Sequence, residues 1–168
     1  MKEKIDISTL IKTYGILYSE SLGIDLKSNK EQELFKWFLA SLLFGKRISE
    51  KIAIKTYNEF LKNGVITPDK ILKTGWDGLV KILDEGGYVR YDFSTATRLL
   101  DIAKMLKEKY GGLMELYKAS NDSRDLEKRL QEFKGVGPVT TNIFLRELRA
   151  AWPKSDVAVS ALVKEAAK

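Results

Sequence analysis

Residues 133–148 read Phe133-Lys-Gly-Val-Gly-Pro-Val-Thr-Thr-Asn-Ile-Phe-Leu-Arg-Glu-Leu148, with two glycines around one valine and a proline directly after them. Gly135 and Gly137 can adopt backbone angles that other residues avoid, and they allow another backbone to approach closely. Pro138 suits the first position of a helix, where its missing N–H leaves no bond unmade. The amides of a Gly-x-Gly turn that leads into a helix point outward at the positive end of the helix dipole. The segment therefore predicts an anion site at a helix N-terminus.

Apolar residues recur at helical spacing along most of the chain. The strongest pattern lies in residues 31–44, where an apolar stripe typical of a core helix comprises Leu34, Phe35, Phe38, Leu39, Leu42 and Leu43. No segment alternates as a half-buried strand does. The pattern predicts an all-α protein. Cap and turn residues divide the rest of the chain into further helices. One short helix starts at residue 67, and the others span residues 7–22, 50–61, 76–83, 93–110, 112–119, 125–133, 138–150 and 156–168.

The chain contains no cysteine and no histidine. The absence of cysteine excludes disulfides, cysteine-bound zinc and an iron–sulfur cluster. The absence of histidine removes the commonest general base and every Ser-His or Cys-His nucleophile pair. Any catalysis must therefore use Asp, Glu, Lys, Tyr or water, and we predict neither a metal site nor a cofactor of these kinds.

The charge balance is basic, with a formal net charge of +6 at pH 7 and a pI near 9.3. Such an excess favours polyanionic partners such as nucleic acid, although a lysine-rich surface also serves solubility. No apolar run approaches the roughly 18 residues of a membrane span. The charged start Met1–Asp6 lacks the apolar segment of a secretory signal. We expect a monomer that is cytoplasmic or nucleoid-associated and does not bind membranes.

Four segments resemble the helix–hairpin–helix DNA glycosylase superfamily, the relatives of endonuclease III and alkyladenine DNA glycosylase. Leu43–Lys51 is similar to its Leu-Gly-Gln-Gln-Ile-Ser-x-Lys segment, and Phe133–Leu148 to its Leu-Pro-Gly-Val-Gly-Pro-x-Thr-Ala hairpin. Gly86–Gly112 is similar to the region before that hairpin, and residues 152–162 occupy the place of the catalytic aspartate segment. The alternative is an unrelated helical bundle in which each glycine simply ends a helix. That alternative accounts for each glycine by itself, but not for the order of the glycines beside the proline and threonines.

The resemblance implies one domain over residues 1–168, a bundle of two helical lobes with a base-accepting cleft between them. A hairpin at about residues 125–150 would hold the DNA backbone, in a loop where the superfamily often binds a monovalent cation. Lys46 and Arg47 replace two glutamines. Arg47 would fill the space left by an extruded base, and a surface turn with two cations is the equal alternative. The implied backbone contacts are Lys134, Gly135, Val136, Gly137 and Thr140.

The aromatic side chains that could stack on an extruded base are Trp37, Trp76, Tyr88, Tyr91 and Phe93, of which Trp37 lies on a core helix. Tyr88 and Tyr91 lie in a glycine-rich loop, where aromatic side chains often meet ligands. We therefore predict that these two residues line the pocket for the extruded base.

The catalytic positions depart from the superfamily pattern. Val139 stands where bifunctional members carry a lysine nucleophile, so strand cleavage through a Schiff base is not expected. Ser160 falls on the position of the aspartate whose charge stabilises the sugar cation. Asp156 is the nearby carboxylate and is either that catalytic group or the N-cap of the last helix.

The leading interpretation is a monofunctional DNA N-glycosylase of base excision repair that binds double-stranded DNA and uses water as its nucleophile. The first alternative is a catalytically inactive DNA-binding protein that retains the glycosylase fold. The second is a helical protein-interaction module without a nucleic-acid role.

Overall fold

The computed structural model describes residues 18–155, and Asp156 and Ser160 therefore lie outside the described residues. All regular structure in that range is helical, which confirms the all-α prediction for it. None of its helices is both long and apolar enough to cross a membrane. Its eight α-helices are α1 (Tyr18–Ser21), α2 (Glu31–Phe44), α3 (Glu50–Lys62), α4 (Pro68–Gly86), α5 (Asp92–Met105), α6 (Leu113–Ala119), α7 (Ser123–Gln131) and α8 (Pro138–Arg146).

Helix α2 is the centre of the core, as its apolar stripe predicts, and it packs against α3, α6 and α8. The Phe38 ring meets Phe144 of α8 edge-on, with ring centroids 5.1 Å apart. The indole N–H of Trp37 donates to the Phe144 carbonyl at 3.0 Å. These buried contacts fix α8, and with it the turn that precedes α8, onto the central helix.

Helix α4 contains the break that the sequence predicts between its two halves. Its N-cap is Thr67, whose hydroxyl accepts from the Lys70 amide at 3.2 Å. Gly75 has non-helical angles, φ 76° and ψ 172°, and bends the helix there. At the end of α4, a Cβ on Gly86 would lie 2.5 Å from the Thr56 Cα of α3. This close approach packs α3 and α4 together.

A π-helical turn, Leu106–Tyr110, extends α5, and Gly111 ends it with φ 91°. The next helix, α6, has its first turn capped from a distance by the side chain of Glu31. Its carboxylate accepts from the amides of Leu113 and Met114, at 2.6 and 2.9 Å. The start of α2 is thereby joined to the start of α6.

The prediction that the last hairpin helix extends to Ala150 is wrong, because α8 ends at Arg146. Glu147 instead accepts hydrogen bonds from the amides of Tyr18 and Ser19, at 3.0 and 2.8 Å. Trp152 is fully buried, and its indole N–H donates to the Asn29 side chain at 2.9 Å. These long-range contacts turn the chain away from the helix axis.

Candidate nucleic-acid interface

The turn between α7 and α8 is built on one left-handed glycine. Gly135 has φ 93°, and Gly137 is the N-cap of α8 with φ −103°. Lys134 and Gly135 are exposed, whereas the Val136 side chain is buried with 4% of its surface exposed. Val136 anchors the turn in the core and leaves the glycines on the surface.

The amides of this turn are largely unbonded. Within the described residues, the N–H groups of Gly135, Gly137 and Val139 have no protein acceptor. The Val136 amide, in contrast, donates to the Phe133 carbonyl at 3.0 Å. Val136 therefore offers neither its side chain nor its N–H to a DNA strand. The other three amides surround the positive end of the α8 dipole and suit an anion.

Arg98 of α5 lies directly against the turn, a neighbour that the sequence did not indicate. A Cβ on Gly135 would lie 2.9 Å from Arg98 Cδ and 3.1 Å from its Cγ. Gly135 is therefore required for its backbone angle and for the space that Arg98 occupies. The contact places a guanidinium-bearing side chain beside the unbonded amides. Nothing in its position on an ordinary amphipathic helix would have revealed it.

The turn that holds Lys46 and Arg47 lies beside the start of α8. Gly45, the C-cap of α2, faces Thr140 so closely that a Cβ there would overlap the Thr140 hydroxyl. Thr140 is 5% exposed. Its side chain therefore packs against Gly45 and is not available to a DNA strand, which corrects its predicted role. The same contact brings the two predicted DNA-binding segments together.

The two tyrosines of the predicted base pocket have different surroundings. Tyr88 is fully buried, and its hydroxyl donates to the Leu43 carbonyl at 2.7 Å. Burial raises the pKa of that hydroxyl. Tyr88 is thus a core residue that cannot stack on a base, and this prediction is wrong. Tyr91 is half-buried, with Lys46 Nζ 5.8 Å and the Arg90 guanidinium 5.4 Å from its ring centroid.

A cavity of about 210 Å³ lies between the start of α1, helix α2, the start of α3 and the second half of α8. Ile48, on its wall, directly follows the Lys46–Arg47 turn, and Ile143 lies one helical turn below Val139. Val139 itself is 62% exposed. The described residues that line the cavity are Tyr18, Trp37, Phe44, Ile48, Glu50, Ile143 and Arg146.

Glu50 supplies the carboxylate among these lining residues, and the sequence analysis did not single it out. Burial, and then the negative charge of Glu50, raise the pKa of the Tyr18 hydroxyl. Glu50 is the first residue of α3, and it follows the N-cap Ser49. An acidic residue in a first helical turn is ordinary, so nothing in the sequence around Glu50 indicates a second role.

No protein-family model matches the chain, and neither a curated protein nor a solved structure is significantly similar to it. Between residues 18 and 155, no group of three or more His, Cys, Asp or Glu side chains is arranged to hold a metal ion.

Proposed function

We propose that the protein binds double-stranded DNA through a helix–hairpin–helix formed by α7, the turn after it and α8. The observation that carries the proposal is the set of unbonded amides at Gly135, Gly137 and Val139, exposed at the N-terminus of a nine-residue helix. Backbone N–H groups in this position bind phosphate oxygens without reading sequence.

Cations from three separate segments support the same phosphate contact. Lys134 lies in the turn, Arg98 contacts Gly135, and Lys46 and Arg47 lie beside Thr140. Each cation near a phosphate releases counterions on binding, so the affinity should fall steeply with salt.

The turn also fits a monovalent cation of the kind that the superfamily resemblance implies. Among the described residues, the carbonyl oxygens of Lys134, Gly135 and Val136 accept no hydrogen bond. These oxygens would hold the ion, whose charge would add to the attraction for a phosphate.

We further propose that the protein is a monofunctional DNA N-glycosylase, with the cavity as its base-accepting cleft between two lobes. The tilted rings of Trp37 and Phe44, 6.5 Å apart, give the cavity aromatic walls. Its volume of about 210 Å³ is far above the roughly 10–15 Å³ that one water needs, so a single ring system could enter it. Arg47, which is exposed in the turn before Ile48, would fill the gap left in the duplex.

In the proposed reaction, a water oxygen attacks C1′ of the sugar while the N-glycosidic bond breaks. The bonding electron pair leaves with the base nitrogen, and a carboxylate takes the proton from water. Glu50 is the carboxylate on the described cavity wall, and Asp156 is the candidate from the sequence. The negative charge of the carboxylate that acts would also stabilise the sugar cation. Val139 cannot form a Schiff base, so the product would be an intact abasic strand.

A DNA-binding protein without catalytic activity is the second candidate. Ser160 stands at the position of the superfamily aspartate and carries no charge. If Glu50 and Asp156 do not replace that aspartate, the phosphate-binding turn would remain functional without base release.

Base release from lesion-containing duplexes tests the two candidates. Duplexes with uracil, hypoxanthine, 8-oxoguanine or 3-methyladenine would be incubated with the protein and treated with alkali. The glycosylase proposal predicts cleavage at one lesion, and a loss of about 100-fold or more in Glu50→Gln if Glu50 is the carboxylate. Asp156→Asn is the matched variant, because it removes the same charge at the other candidate position.

The controls separate binding from chemistry. Anisotropy titrations with the same duplexes should give similar affinities for wild type, Glu50→Gln and Asp156→Asn. Binding without base release on any substrate would leave only the inactive DNA-binding protein. Absence of duplex binding at low salt would refute both candidates.

A further inference from the structure

An exposed aromatic pair lies outside the candidate interface. Trp76 of α4 is 38% exposed and Phe93 of α5 is 60% exposed, with ring centroids 5.1 Å apart. The Trp76 indole N–H donates to the Thr97 hydroxyl at 3.1 Å, and that hydroxyl donates to the Phe93 carbonyl at 3.1 Å. The pair is therefore held in place on the surface. Large apolar side chains grouped at a surface mark a binding site more often than isolated ones do.

Helix α5 connects this pair to the phosphate-binding turn. Arg98, which contacts Gly135, lies five residues after Phe93, about 7.5 Å along the helix axis and about 140° around it. That length is about two steps of stacked bases at 3.4 Å each. On the other side, Tyr91 lies two residues before Phe93, beneath Lys46 and Arg90.

Carboxylates lie directly beside the pair. Asp92 precedes Phe93, and its carboxylate accepts from the Phe93 amide at 2.6 Å. Asp77 follows Trp76 in the sequence. Lys46 and Arg90 lie at the Tyr91 ring, two residues before Phe93, so a strand whose phosphates they contact would reach the aromatic pair with its bases. Stacking, and not charge, would then supply the contact with Trp76 and Phe93.

We propose that Trp76 and Phe93 form a stacking site for an unpaired DNA base next to the duplex held by the turn. The site rests on the proposed DNA binding, and it is separate from the cavity between Ile48 and Ile143. Every base offers a π face, so aromatic stacking binds unpaired bases with little sequence preference. The protein would therefore favour DNA whose duplex is interrupted or frayed over a fully paired duplex.

Tryptophan fluorescence reports on this site directly. The chain has three tryptophans; Trp152 is fully buried, and Trp37 is buried on the cavity wall, so quenching that is absent in Trp76→Ala assigns the signal to Trp76. The probes are a blunt DNA duplex and the same duplex with a single-stranded thymidine extension. We expect the extended duplex to bind about 5- to 140-fold more tightly, the range for stacking one base, and to quench the Trp76 emission.

Variants separate stacking from phosphate binding. Trp76→Ala and Phe93→Ala should each abolish the preference for the extended duplex and leave binding of the blunt duplex unchanged. The slope of log affinity against log salt should also stay unchanged, since stacking releases no counterions. Leu61→Ala is the matched control, because Leu61 is an exposed apolar residue, 39% exposed, on α3. Circular dichroism would confirm that each variant is folded.

The outcomes distinguish this inference from the proposed function. Equal affinity for the two duplexes without quenching would refute the stacking site and leave DNA binding intact. No binding of either duplex would refute both. Sedimentation showing wild-type oligomers that dissociate in Phe93→Ala would assign the pair to a protein contact and overturn the proposal. Loss of the preference in the two aromatic variants, but not in Leu61→Ala, would support it.

Discussion

Gly111 and Gly135 have nearly the same left-handed backbone angle, with φ 91° and 93°, but different neighbours. A Cβ on Gly111 would meet open space, whereas one on Gly135 would meet the Arg98 side chain. Gly111 ends the π-helical turn, and Gly135 lies among the unbonded amides of the interface. Substitutions at the two glycines therefore separate the effect of backbone strain on stability from the effect of a changed interface on DNA binding.

We predict that Gly135→Ala and Gly111→Ala lower the free energy of unfolding by a similar amount, about 1–2 kcal/mol, because each forces alanine into the left-handed region. Only Gly135→Ala should weaken duplex binding, by about tenfold, since the new methyl group displaces Arg98 and distorts the turn. Urea denaturation and anisotropy titrations measure the two effects. Equal loss of DNA affinity in the two variants would contradict a direct role for this turn.

Single residues also show where sequence reasoning reaches its limit. Tyr88 and Tyr91 lie three residues apart in one glycine-rich loop, yet Tyr88 is in the core and Tyr91 is half-buried under two cations. Thr140 is likewise buried by a residue far away in the sequence, because Gly45 packs against it. Such differences depend on contacts with other elements, which local composition does not encode.

At the scale of elements, α7 begins with a reciprocal pair of caps. The Asp122 carboxylate accepts from the Asp125 amide at 2.8 Å, and the Asp125 carboxylate accepts from the Asn121 amide at 2.9 Å. Asp125 also pairs with Arg129, one turn along the helix, at 3.0 Å. This arrangement is a variant of the capping box in which the return bond reaches Asn121, the residue before the N-cap, and it fixes the start of the helix that leads into the turn.

The charge of Asp125 should make α7 sensitive to acid. The bond from the Asn121 amide, and then Arg129, lower the pKa of the Asp125 carboxyl below its ordinary value, about 3.9. A lowered folded-state pKa contributes stability that is complete above the unfolded pKa and is lost as the pH falls through the folded pKa. We predict that Asp125→Asn is less stable than wild type at neutral pH and that the difference closes on acidification below about pH 4. Thermal unfolding at several pH values measures this stability difference. Curves of stability against pH that stay parallel for the two proteins would contradict the prediction.

Helix starts were more predictable than helix ends. The N-cap of α3 at Ser49, the Thr67-Pro68 start of α4 and the break at Gly75 all follow from local turn and cap chemistry. The end of α8 did not, because Glu147 binds the amides of α1, from the opposite end of the described chain. The all-α class could therefore be predicted, whereas the course of the chain after α8 could not.

At the scale of the molecule, the candidate interface is assembled from distant parts of the chain. Gly45 meets Thr140 and Arg98 meets Gly135, and the cavity has Ile48 and Ile143 on its walls. The sequence predicted the glycine turn and the Lys46–Arg47 turn as separate segments. It could not supply Arg98, because that residue becomes a neighbour of the site only through packing of α5.

A face assembled in this way should behave as one electrostatic unit towards DNA. Lys134→Ala and Arg98→Ala should each lower the slope of log affinity against log salt by about 0.9, the value for one lost phosphate contact. The double variant should lose about twice that amount, since two separate phosphates would be released. Lys118→Ala is the control, because Lys118 already pairs with Glu115 on α6, and its slope should match wild type. Titrations at several salt concentrations give the slopes. If the slope for Lys118→Ala changed as much as that for Lys134→Ala, DNA would be held by the general positive charge of the protein and not by this face.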